Sequence, residues 1–213
     1  LQQYVIDNDF KPRGINFHTD EIFIGEGAGS DLGNLNELFD RDNKVAILDP
    51  TYPAYVDANI MAGRTIHHLP SGKDNGFLPM PDKQIQADLI YICSPNNPTG
   101  NAFPEGDIRK ILDSFQGIVV LDEAYVDFGA ESVLPLTEKY ENLLVVQTYS
   151  KSRSMAGARL GFAAGCRDLI KDLNTVKYST NPYNINRLTM KLAEATVDAD
   201  AHYRANAEKI KAT

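Results

Sequence analysis

The stretch NLLVVQTYSKSRSMAGARLGFAAG, residues 142–165, joins two apolar runs through a polar turn that holds one lysine, Lys151. Leu143 to Val146 form an unbroken apolar run, as expected of a strand covered on both faces. Ser150 and Lys151 stand where that run ends, and Arg159 follows among glycines and alanines. A surface lysine needs no such setting. Either the turn is an ordinary loop or the amine has chemistry to perform.

Runs of the same kind recur along the chain. DLIYICS (88–94) and GIVVLDEAY (117–125) read as buried strands, and EIFIGEG (21–27), KVAILDP (44–50), RTIHHLP (64–70) and ARLGFAAG (158–165) as further strands. Between them lie segments of helical period. SDLGNLNELF puts Leu32, Leu35, Leu38 and Phe39 on one face, a helix is expected from Tyr55 to about Met61, and FPEGDIRKILDSF turns Ile108, Ile111 and Leu112 inward. DLIKDLNTV and NINRLTMKLAEATV are predicted helices, the second with Ile185, Leu188 and Leu192 in register. The first residues, LQQYVIDNDFKPRG, read as the last turns of a helix. Strands alternating with helices predict an α/β fold with a mainly parallel sheet flanked by helices. In such folds the strand C-terminal ends gather at one edge, where ligands bind.

Composition narrows the field of functions. The 213 residues suffice for one large domain, and the net charge of −8 argues against nucleic-acid or anionic-membrane partners. Cys93 and Cys166 lack metal-ligand spacing and read as reduced thiols, and the four histidines form no metal motif, so no metal is expected. Without a signal peptide or a long apolar stretch, the chain reads as cytosolic.

Three buried strands end in chemistry. SPNNPTG (94–100) brings Asn97, the next brings Asp122 and Tyr125, and the third brings Ser150 and Lys151 to the same edge. Each alone is compatible with a turn, a helix cap or a solvated side chain. Together they match the needs of pyridoxal 5′-phosphate: an amine for a Schiff base, partly desolvated so that its neutral form is accessible, and a carboxylate that keeps a pyridine nitrogen protonated. Asn97 and Tyr125 can hydrogen-bond a phenolate oxygen. Thr148, Ser150 and Arg159 offer two hydroxyls and a forked cation for a phosphate. GEGAGSD (25–31) places Ala28 and Gly29 at a helix N-terminus, whose free N–H groups suit the same phosphate. Tyr52 can stack on the ring.

SPNNPTG, LDEAYVDF (121–128) and YSKSRSMAGARLG (149–161) resemble the signatures of the class I/II, fold-type I, pyridoxal-phosphate-dependent aminotransferases, in order and spacing. The resemblance implies that Lys151 binds the cofactor, with Asp122 on its ring nitrogen. It places Asn97 and Tyr125 on the phenolic oxygen, Thr148, Ser150, Arg159, Ala28 and Gly29 on the phosphate, and Tyr52 on the ring. RGINFHTDEIFIGEGAGSDLGNL and DPTYPAYVDANIMAGRT are similar to LL-diaminopimelate aminotransferase, although that family usually carries lysine where Gly29 stands. VVLDEAYVDFGAES and VKYSTNPYNINRL are more similar to histidinol-phosphate aminotransferase. The implied substrates are an amino acid or amino-alcohol phosphate and a keto acid such as 2-oxoglutarate.

The resemblance also implies a longer homodimeric protein, of which residues 1–213 are the large cofactor domain, with an N-terminal arm and a C-terminal small domain outside it. In the family that small domain carries an arginine for the substrate carboxylate or phosphate. Arg187 and Arg204 lie on predicted helices and read as solvated instead. A decarboxylase or lyase with the same cofactor, a cofactor-binding fragment without turnover, and an unrelated α/β binding domain are the alternatives.

Overall fold

A computed structural model describes residues 1–81 and 85–213. In chain order its elements are helix α1 (Gln2–Val5), strand β1 (Ile22–Gly25), α2 (Ala28–Asn36), β2 (Lys44–Asp49), α3 (Pro53–Met61), β3 (Thr65–Pro70) and β4 (Leu89–Cys93). They continue with α4 (Glu105–Ser114), β5 (Ile118–Asp122), β6 (Leu143–Thr148), β7 (Gly161–Gly165), α5 (Arg167–Thr180), α6 (Arg187–Asp198) and α7 (Asp200–Lys211). The strands form one sheet in the order β1-β7-β6-β5-β4-β2-β3. Among the described residues only the two pairings of β7 are antiparallel, so six strands run one way and β7 runs against them.

That single reversal builds the site. Because β7 begins at the edge where β6 ends, Arg159, just ahead of β7, arrives beside Thr148. Strand β1 runs parallel to β6 in direction, so its C-terminal end delivers the N-terminus of α2 to the same edge.

Both sheet faces are covered, which explains the unbroken apolar runs. In β4, Ile90 and Ile92 join one hydrophobic cluster while Leu89, Tyr91 and Cys93 join the other. Helices α4 and α6 cover the first face through Ile108, Ile111, Leu112, Ala193 and Val197. Helices α2, α3 and α5 cover the second through Leu32, Leu35, Tyr55, Leu169, Ile170 and Leu173.

Two expectations change. Helix α2 stops at Asn36, and Leu38 and Phe39 pack on the second cluster from beyond its end. Helix α6 starts at Arg187, leaving Ile185 ahead of it, and its buried face is Thr189, Ala193, Thr196 and Val197. Leu188 and Leu192, which keep helical spacing, are exposed. The reason is close approach: the Thr189 hydroxyl donates to Ala158 O at 2.9 Å, a distance that a face of small residues permits and a leucine face would not.

Gly161 is held against the backbone at the start of α2. A side chain there would lie 2.7 Å from Gly27 Cα and 2.8 Å from Ala28 N, inside any normal contact. Gly161→Ala is therefore expected to force β7 away from the start of α2 and cost about 1–3 kcal/mol. Chemical denaturation measures this, and an unchanged midpoint would show that the strand start yields freely.

Candidate active site

Asp122, at the end of β5, is buried at 5% exposure with its carboxylate turned into a cavity at the sheet edge. Its Oδ1 accepts from the Ala124 backbone N–H at 2.9 Å and its Oδ2 from the Tyr55 hydroxyl at 2.5 Å. Burial raises the carboxyl above its ordinary range, while these two donors and the charge of Lys151 act in the opposite direction. An anion held against its own desolvation in this way is a good partner for a cationic ring nitrogen.

The cavity has a volume of about 270 Å³. All ten residues expected at the site line it: Ala28, Gly29 and Tyr52, then Asn97, Asp122 and Tyr125, then Thr148, Ser150, Lys151 and Arg159. Four more wall residues, Tyr55, Cys93, Ala124 and Ala156, were not foreseen. Burial, then the charge of Asp122, push the Cys93 thiol up to about 12, so it lies in the wall as a neutral group. Tyr55 had a detectable signal: it follows Tyr52 by three residues, one helical turn, and so shares its side of α3.

Within the SPNNPTG turn the two asparagines divide the work. Asn96 is buried and builds the turn, accepting from the Thr99 amide at 3.2 Å and the Thr99 hydroxyl at 3.1 Å. Asn97 lines the cavity.

The same cavity also holds a cradle of donors. The N-terminal turn of α2 opens at Gly27, whose φ of +105° suits glycine. A side chain on Gly27 would come within 3.3 Å of Arg159 Nη2 and 3.8 Å of Thr148 Oγ1, so all three crowd one spot. Arg159 is left-handed, with φ +54°, and its Nη1 donates to Ala156 O at 2.9 Å. A non-glycine residue in that region costs about 1–3 kcal/mol, and such strain tends to persist where side-chain placement matters.

Asp31, in the first turn of α2, is fully buried and neither of its oxygens has a hydrogen-bond partner. Burial pushes its carboxyl well above the ordinary range, toward the neutral acid.

Lys151 departs from expectation in one respect. Its amine reaches the cavity, with Nζ 5.1 Å from the centroid of the Tyr125 ring, but the residue is exposed rather than partly desolvated. It stands at the open mouth, where solvent reaches it. Glu123, beside Asp122, plays a different part: it accepts from Ser132 Oγ at 2.6 Å, Val133 N at 2.7 Å and Gln147 Nε2 at 2.7 Å, and so ties the loop after β5 to β6. Arg187 and Arg204 are exposed as expected, Arg204 in an ion pair with Asp200. Among the described residues no cluster could hold a metal ion, and no helix is long and apolar enough to cross a membrane.

The likenesses to known proteins agree with this geometry. The chain is 39% identical over 208 residues to a histidinol-phosphate aminotransferase of Lactococcus lactis subsp. cremoris, covering 93% of the chain and 56% of that protein. It is 35% identical over 189 residues to an LL-diaminopimelate aminotransferase of Agathobacter rectalis, covering 79% of the chain and 46% of that protein. The chain thus spans about half the length of the curated relatives it matches. In fold it is similar to histidinol-phosphate aminotransferase from Sinorhizobium meliloti, solved in complex with pyridoxal 5′-phosphate, with a TM-score of 0.81 at 23% identity over 97% of the chain and 57% of that structure. With residues 4–213 matching the family described as aminotransferase class I and II, the chain belongs to that family.

Proposed function

We propose that this chain is the cofactor-binding large domain of a pyridoxal 5′-phosphate-dependent aminotransferase. The observation that carries the reading is the joint cavity: an amine, a doubly hydrogen-bonded buried carboxylate and a donor cradle face one another across about 270 Å³.

The bound cofactor supplies an electron sink for the pair released when an amino substrate loses its α-proton. The chain's own residues do the rest. Lys151 would hold the cofactor through its amine, and that amine, once free, would take the proton from the substrate α-carbon. Asp122 holds a proton on the ring nitrogen. Tyr125 and Asn97 hydrogen-bond the phenolic oxygen, and Tyr52 lies against the ring. Thr148, Ser150, Arg159 and the N–H groups of Ala28 and Gly29 hold the phosphate, whose charge the helix end favours.

The substrate is an amino acid or an amino-alcohol phosphate such as histidinol phosphate, with 2-oxoglutarate as acceptor. LL-diaminopimelate is the second reading, supported by the relative of that name. The family resemblance implies a homodimer, and the sequence reads as that of a cytosolic protein. The test is an amino-donor screen of the purified protein with added cofactor, reading keto product against CO₂. Keto product from histidinol phosphate supports the first reading and from LL-diaminopimelate the second. CO₂ release would replace aminotransfer with decarboxylation.

A further inference from the structure

Tyr55 lies outside the set of residues with an assigned task, yet it makes the shortest contact to Asp122. We propose that Tyr55 is the positioning residue of Asp122: its phenol, stacked on Tyr91, with its backbone carbonyl tied to an Asn59–Arg64 network, fixes the orientation of the carboxylate that faces the cofactor's ring nitrogen. The inference rests on the function proposed above.

The geometry gives the hydroxyl a purpose that packing does not explain. A carboxylate rotates easily about its last torsion, where the energy wells are broad. Asp122 is held on both oxygens, by the Ala124 amide and by the Tyr55 hydroxyl. Only the second is a side chain, and a phenylalanine would fill the same space without it. Burial, then the charge of Asp122, keep the Tyr55 phenol well above its ordinary range, so it remains a donor. The titratable groups facing Asp122 are Tyr55 from α3, Cys93 from β4, Lys151 from the turn after β6 and, further off, Asp31 from α2.

Tyr55 is itself held at its ring and at its backbone. Its ring lies parallel to Tyr91, with centroids 5.1 Å apart and 8° between planes, and meets Tyr52 edge-on at 5.6 Å. Asn59 Nδ2 donates to Tyr55 O at 2.8 Å, and Asn59 Oδ1 accepts from Arg64 Nη1 at 3.1 Å. Arg64 is buried at 9% exposure, and its bonds run to neutral oxygens: Asp40 O at 3.0 Å, Asn36 O at 2.6 Å, and also Phe39 O and the Asn36 side chain. These carbonyls lie at and beyond the C-terminal end of α2, which a cation suits. A continuous chain of bonds therefore runs from the far end of the phosphate-facing helix to the carboxylate in the cavity.

The test uses Tyr55→Phe, Asp122→Asn and the double variant, with pyridoxal 5′-phosphate labelled with ¹⁵N in the ring. Tyr55→Phe is expected to weaken cofactor affinity by about 10- to 100-fold, the loss of one hydrogen bond to a charged group. It should also move the ring ¹⁵N resonance from the protonated toward the unprotonated position. In the Asp122→Asn background the same change should cost little, because the two residues act as a unit. Wild-type affinity and resonance in Tyr55→Phe, or losses that simply add in the double variant, would overturn the inference. Should Tyr55→Phe not fold, the wild-type apoprotein decides the matter by NMR: the Tyr55 ¹³Cζ signal should step as the Asp122 carboxyl titrates, and a flat trace refutes the coupling. A wild-type chain that takes up no cofactor at all would instead refute the proposed function, and this inference with it.

Discussion

Asp122→Asn is expected to lower cofactor-dependent turnover by about 10²–10³-fold, equivalent to about 2.7–4 kcal/mol. The change keeps the side-chain shape and removes the charge, so the ring nitrogen loses the anion that keeps it protonated. The apoprotein should respond in the opposite sense. Burial raises the folded-state pKa of Asp122, so the folded chain holds a proton that the unfolded chain releases. The stability contributed by that proton is fully present below the unfolded value, about 4, and is lost as pH rises through the folded one. Asn carries no such dependence. Relative to the wild type, Asp122→Asn should therefore gain stability as pH rises from about 4 upward, read from denaturation midpoints across that range. A variant that loses activity only in proportion to lost stability would contradict the assignment.

Lys151→Ala should have the larger effect. Losing the acid–base role alone costs about 10²–10⁴-fold in rate, and losing the covalent attachment removes the visible absorbance of the lysine-bound cofactor. Folding should be spared, because the Lys151 side chain is exposed, with its amine 5.1 Å from the Tyr125 ring centroid. Near-wild-type denaturation together with loss of the band is the expected pair of results. A retained band would place the attachment on another amine.

Much of this was legible in the sequence for physical reasons. Strands such as Leu89–Cys93 and Leu143–Thr148 are apolar because both sheet faces are covered, and polar residues begin where the cover ends, which is why the site residues announce themselves at strand ends. Strand direction was not legible. The run GFAAG reads the same whether parallel or antiparallel, and only the backbone path shows that β7 is reversed and that Arg159 is thereby brought to Thr148. The spacing of Ile185, Leu188 and Leu192 marks a helix but not its buried face, which is formed by Thr189, Ala193, Thr196 and Val197, residues small enough to let the helix touch the loop after Lys151. Tyr55 escaped because its role depends on a contact with Asp122 across 67 positions of sequence.

The central claim is that Lys151, and no other lysine, carries the cofactor. Lys177 is the stringent comparison: it is half-buried, and burial lowers its pKa, which favours a nucleophilic amine, but its Nζ is engaged by Ile24 O at 2.7 Å, and it is not among the residues that line the cavity. Borohydride reduction of the protein with pyridoxal 5′-phosphate, followed by peptide mass mapping, tests the claim directly. The account predicts a single reduced adduct on the peptide containing Lys151, abolished in Lys151→Ala. An adduct on Lys177, or none on a folded protein, would contradict it.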